Sequence, residues 1–246
     1  LSPAMRLRIR EELEQRTFGP FRRMMTGEQK PDSWVTTTSN WNAVCLAGVT
    51  GAALTILDSR DERAAFLAAA EKHSKNFLAG FPADGYCTEG LSYYNYGFSH
   101  YLALCEAAWQ ATEGRLDLFN VPEMRNIALF GVRIEIMNGA YPSIADCPPN
   151  SRPSRMEMDY TSRRLGLGLT RWETDVLDDR IGGTMALSLM HTFPNSATLE
   201  PATEIHLEGI GERSFFDHAG ILICRPGALS RARLGVCLKG GHNAEH

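Results

Sequence analysis

Apolar residues recur at helical spacing through most of the chain. From Pro3 to Met25 they alternate with opposite charges four residues apart, and Asn42 to Leu57 is apolar, rich in small residues and free of charge. Asp61 to Phe77, D-E-R-A-A-F-L-A-A-A-E-K-H-S-K-N-F, keeps Ala and Leu on one face. The pattern predicts consecutive helices over these three stretches. Further helices are expected at Leu91 to Thr112, Pro122 to Met137, near Met158 to Leu169 and at Asp175 to His191, with Gly, Pro and Asn clusters marking the loops. Helices of about 16 to 22 residues joined by long loops suggest pairs arranged around a common axis rather than a four-helix bundle.

After Pro201 the texture of the sequence changes. E-I-H-L-E-G, S-F-F-D-H-A-G-I-L-I-C-R-P and A-L-S-R-A-R-L-G-V-C-L-K alternate apolar and polar residues or form short β-branched runs, with turn residues between them. They read as about three strands of an antiparallel sheet, too few to stand without packing on something else. The expected organisation is mainly α, with a helical domain over 1–203 and the opening strands of a β-domain over 204–246. The chain stops in mid-motif at G-G-H-N-A-E-H, as expected of a fragment of a longer protein.

Composition narrows the classes. With 43% hydrophobic residues, and 25 Lys plus Arg against 29 Asp plus Glu for a formal charge of −4, the chain is ordinary globular protein, which excludes disorder, collagen and coiled coil. Without a Lys/Arg excess it is not expected to grip nucleic acid by bulk charge. Ser33 to Leu57 carries no charge, but its apolar part, Ala43 to Leu57, falls short of the roughly 20 residues of a membrane span and reads as a buried helix. Cys45, Cys87, Cys105, Cys147, Cys224 and Cys237 show no C-x-x-C spacing and read as free thiols packed like small hydrophobes. The N-terminal L-S-P-A-M-R-L-R-I-R-E-E-L has no apolar signal segment, which leaves localisation open.

Two segments concentrate polar and aromatic groups where a core helix would want aliphatics. In S-N-W-N-A-V-C-L-A-G, Asn40, Trp41 and Asn42 sit at a helix start, where Ser39 or Asn40 also reads simply as the N-cap and Trp41 as a packing residue. In D-G-Y-C-T-E-G-L-S-Y-Y-N-Y-G-F-S-H-Y, from Asp84 to Tyr101, Glu89 and His100 lie among aromatic residues. Tyr93, Tyr94 and Tyr96 cannot share one helical face, so some must point toward a cleft. Asp84 and Glu89 read either as the carboxylate pair of a glycoside hydrolase, or as a turn Asp before Gly85 and a helix-start Glu. Arg152, Arg155, Arg163 and Arg164 form either a solvated face or a site for carboxylate or sulfate. His242, Glu245 and His246 spell H-x-x-E-H, but that motif needs a helix, and Gly240-Gly241 after a strand argues against one.

N-W-N-A-V at Asn40, D-G-Y-x-x-E-G-x-x-Y-Y-x-Y-G from Asp84 to Gly97 and the glycine-led histidine segment at the end occur in an order that resembles the heparinase II/III superfamily of polysaccharide lyases, including relatives that cleave alginate oligomers. The resemblance covers nearly the whole chain. It implies an incomplete (α/α) toroid followed by antiparallel β-sheet domains, in agreement with the helix-then-strand reading. It also implies β-elimination on a uronic-acid-containing polysaccharide or oligosaccharide. Such an enzyme removes the proton alpha to the uronate carboxylate and expels the sugar on the 4-oxygen. The carboxylate must therefore be neutralised by preorganised donors, a task suited to an amide at a helix N-terminus. A phenol whose pKa is lowered by nearby positive groups can serve as acid or base.

Matched residue by residue, the resemblance makes Asn40 the neutralising amide and Tyr94 the catalytic tyrosine, with Tyr96 as the alternate and Asn42 as its partner. Trp41, Asn42, Glu89, Tyr93, Tyr96 and His242 are expected to contact substrate. Relatives often carry a His beside the amide; here Trp41 stands there, with a ring that can stack on a sugar. The resemblance also implies a β-domain histidine and a zinc site, expected beyond His246, so that zinc belongs to the complete protein and no cofactor to this chain. The implied partner is an anionic saccharide, with no nucleic acid and no membrane, in the periplasm or cytoplasm of a bacterium. The competing expectations are a toroid-type glycoside hydrolase using Asp84 and Glu89, and a non-catalytic carbohydrate-binding fragment.

Overall fold

A computed structural model describes residues 1–169, 210–227, 231 and 233–241. Helix α1 (Pro3–Leu13) begins behind Ser2, whose hydroxyl accepts the Met5 N–H at 3.2 Å, and Pro3 occupies a first-turn position where no N–H is needed. The single helix expected from Pro3 to Met25 is in fact interrupted. A π turn over Glu14–Phe18 separates α1 from α2 (Gly19–Thr26). Pro20 supplies the reason, since it has no N–H for the Arg16 carbonyl and its ring would press on that carbonyl in an α turn. The wider turn, closed by Gly19 N–H to Glu14 O, relieves the clash. Gly19 fits because a Cβ there would lie 2.9 Å from Glu14 O.

After the single turn α3 (Ser33–Thr36) come three long helices, α4 (Asn40–Ile56), α5 (Arg60–Ala79) and α6 (Gly90–Ala111), close to the bounds the periodicity predicts. Helix α4 packs against both α5 and α6. Gly97 allows the close approach of α6, because a Cβ there would sit 2.8 Å from the Asn40 Cβ. The helix expected from Pro122 to Met137 breaks into α7 (Met124–Ala128) and α8 (Phe130–Arg133). The chain then turns through Asn138 (φ 52°) and Gly139 (φ 75°), the two residue types best suited to positive φ. Glu135 fixes that turn by accepting the Gly139 N–H at 2.7 Å. Helix α9 (Arg155–Leu165) ends at Gly166 in the left-handed region.

The core is aromatic. Phe66 meets Phe18 and Phe21, Phe77 meets Phe81 and Tyr101, and Tyr94 meets Phe98 and Phe130. Strands β1 (Arg213–Phe216), β2 (Ile221–Cys224) and β3 (Val236–Lys239) form an antiparallel sheet in that order, with Ser214 opposite Ile223 and Ile223 opposite Cys237. Its inner face, Phe216, Ile221 and Ile223, belongs to the same apolar cluster as the helices. The Phe216 ring lies 5.5 Å from Tyr86 and 5.7 Å from Phe130.

Two half-buried arginines tie the sheet down. Arg225 donates to Glu135 O at 2.8 Å and Ser214 Oγ at 2.9 Å, and Arg133 donates to Phe215 O at 3.1 Å while its guanidinium covers the Phe216 ring. The described strands thus share a core with the helices rather than building their own. The expected boundary between 1–203 and 204–246, the helix at Asp175 to His191 and the strand E-I-H-L-E-G lie outside the described residues. All six cysteines are free, and among the described residues no helix is long and apolar enough to cross a membrane.

Candidate functional site

The N-terminus of α4 meets the start of α6 through one buried pair. Asn40 donates its backbone N–H to Glu89 Oε2 at 2.8 Å and its Nδ2 to Glu89 Oε1 at 2.6 Å. Both residues are buried. Ser39 holds the N-cap position, so Asn40 does not cap its own helix, and Glu89 does not turn back on α6. The Glu89 carboxylate instead sits at the positive end of the α4 dipole, where two donors offset its charge. An amide nitrogen carries two hydrogens, and only one is given to Glu89 among the described residues.

The site residues expected on the flanks separate sharply. Asn42 is fully buried and donates to Trp34 O at 3.1 Å and Val35 O at 3.0 Å, fastening α3 to α4. Its expected role as a substrate contact and as partner to Tyr96 is therefore corrected to a structural one. Tyr94 is also buried, its ring 5.0 Å from both Phe98 and Phe130, and its hydroxyl donates to Ile127 O at 3.1 Å. Burial, with the Glu157 charge adding to it, holds the Tyr94 phenol well above its ordinary pKa, the opposite of the lowering expected of a catalytic phenol. Tyr94 belongs to the core and presents no surface to a saccharide.

Tyr93 and Tyr96 do reach solvent, at 38% and 51% exposure, and Trp41 is 64% exposed. Tyr93, Tyr96 and His100 follow one another at spacings of three and four residues within α6. At 3.6 residues per turn they occupy about 60° of the α6 circumference. His100 completes this stripe; it was not among the expected substrate contacts, although the spacing was there to read. Its Nδ1 lies 2.7 Å from Tyr96 O, and its ring meets the Tyr96 ring edge-on at 4.9 Å. A carbonyl can only accept, so in the neutral ring the proton sits on Nδ1 and Nε2 is the acceptor. Asn40 packs on Gly97, the residue after Tyr96, which sets the amide beside the stripe.

The other candidates are occupied elsewhere. Asp84 Oδ1 accepts the Tyr86 N–H at 3.0 Å, so Asp84 is the turn residue before Gly85. Arg164 pairs with Asp117 at 2.8 Å between Trp109 and Phe119, and Arg163 pairs with Asp159 at 2.9 Å. Arg152 and Arg155 stay exposed, and Asn95 of α6 holds their loop by donating to Arg152 O at 2.7 Å and accepting the Ser154 N–H at 3.2 Å. His242 and His246 lie outside the described residues, and among the described residues no three His, Cys, Asp or Glu side chains converge as metal ligands. The site thus combines the exposed rings of Trp41, Tyr93 and Tyr96, the last two of them phenols, with a buried amide at a helix N-terminus and an imidazole whose Nδ1 faces a carbonyl. Neither a protein-family model nor a curated protein matches the chain.

Proposed function

We propose that the protein is a polysaccharide lyase that cleaves uronic-acid-containing saccharides by β-elimination at the open face formed by the α4 N-terminus and the α6 stripe. In this reading α4, α5 and α6 belong to an (α/α) toroid, and the three strands open the sheet domain that packs on it. The observation that carries the reading is the run of exposed Tyr93 and Tyr96 and half-buried His100 beside the Asn40–Glu89 pair. Exposed aromatic rings offer apolar faces to a sugar, and Asn40 keeps a second Nδ2 hydrogen beyond the one it gives to Glu89. Tyr96 replaces Tyr94 as the phenol that protonates the leaving oxygen, because its ring is half-exposed while that of Tyr94 is sealed in the core.

The hydrolase reading has less to support it. Both Glu89 oxygens are engaged by Asn40, and an Asp84 oxygen is engaged by Tyr86. Product analysis on uronate oligosaccharides decides the matter. The expected product is an unsaturated uronate absorbing in the near ultraviolet. New reducing ends without that absorbance would identify a hydrolase, and binding without either product would identify a carbohydrate-binding protein.

A further inference from the structure

His100 lies one helical turn beyond Tyr96, and its Nδ1 is committed to the Tyr96 carbonyl at 2.7 Å. That bond fixes the imidazole both in orientation and in tautomer, so the basic lone pair is on Nε2, on the half-exposed part of α6 that also carries the phenol. A base held by a third group, next to an acid, is the arrangement a proton-transfer reaction requires. Resting on the lyase reading, we propose that His100 Nε2 is the base that takes the proton alpha to the uronate carboxylate, with Tyr96 as the acid.

The step balances within the pair. The bond from carbon 5 to hydrogen breaks, the proton goes to Nε2, and the electron pair moves into the carboxylate as an enediolate. Collapse of the enediolate forms the double bond between carbons 4 and 5 and expels the 4-oxygen, which takes the Tyr96 phenol proton. The imidazolium then passes its Nε2 proton to the Tyr96 phenolate, and both groups regain their starting state. Nδ1 keeps its own proton throughout, held by Tyr96 O.

The test uses the full-length protein with two variants. His100→Ala should lose at least about a hundredfold in kcat, the range of a lost acid/base group, while still binding the oligosaccharide. Added imidazole should restore part of that turnover, as no purely structural role would allow. His100→Asn keeps a donor near the Nδ1 position but has no base, and should fold with wild-type Tm and remain inactive. Nitrogen NMR of the wild type should find the neutral ring protonated on Nδ1. Wild-type turnover in His100→Asn, no response of His100→Ala to imidazole, or a proton on Nε2 would each overturn the assignment while leaving the lyase reading in place. A wild-type protein that yields no unsaturated product would overturn the lyase reading itself.

Discussion

Tyr94 and Tyr96 differ by two positions and by everything that matters for chemistry. Leu91, Tyr94, Phe98, Tyr101 and Cys105 repeat at spacings of three and four, and all are buried, so Tyr94 lies on the apolar seam of α6. That seam was legible in the sequence. What was not legible is the bond between Asn40 and Glu89, because nothing local to residue 40 reveals a carboxylate arriving from residue 89. Asn40→Asp would therefore set two carboxylates against each other and cost folding as well as activity. Glu157 shows the same dependence on surroundings. It is buried, its Oε2 has no hydrogen-bond partner, and burial raises its pKa from 4.5 to about 8 despite a hydrogen bond from Ser154. The folded state therefore holds this proton more tightly than the unfolded state. Stability from this group is fully present below about pH 4.5 and is lost as pH rises through about 8. Glu157→Gln should accordingly match the wild type in Tm at pH 4 and exceed it at pH 9, approximate settings on either side of that window. A thermal-denaturation series in which the two proteins stay parallel across that range would contradict the burial argument.

At the scale of elements, the long helices followed from periodicity and the breaks did not. Helices α4, α5 and α6 fall within one or two residues of their predicted bounds, since each has a continuous apolar face to bury. The π turn before Pro20 and the split of α7 from α8 are local exceptions that an averaged hydrophobic pattern passes over. The α4–α6 contact is the element-level feature on which the site depends, and two glycines test it in opposite directions. Gly97→Ala would press a methyl group into Asn40 and should destabilise the protein by about 1–3 kcal/mol, the usual cost of overpacking. Gly48, in α4, has nothing within 4 Å of a Cβ, so Gly48→Ala should stabilise by up to about 1 kcal/mol through helix propensity. Chemical denaturation of both variants measures the pair. Equal effects would mean that α4 and α6 do not approach as closely as Gly97 permits.

For the whole molecule, the order of helices before strands was readable from the change of texture after Pro201, but the stretch S-F-F-D-H-A-G-I-L-I-C-R-P, one of three segments read as about three strands, folds as the two-stranded hairpin of β1 and β2. How the sheet joins the helices was not readable, because the junction rests on Arg133 and Arg225, whose partners lie about 80 to 90 residues away in sequence. Long-range pairing of this kind leaves no periodic trace. The resulting shared core leaves the α6 stripe at the surface, with Asn40 beside it, as the face on which the proposed elimination occurs. The most direct test of that account is formation of unsaturated uronate by the wild type, Tyr96→Phe and Tyr94→Phe, followed by ultraviolet absorbance on one oligosaccharide. The account expects Tyr96→Phe to lose at least about a hundredfold in kcat with little change in KM, as for a lost general acid. It expects Tyr94→Phe to keep its turnover and to lose about 1 kcal/mol of stability with the hydrogen bond to Ile127. Full activity in Tyr96→Phe together with an inactive, folded Tyr94→Phe would contradict it.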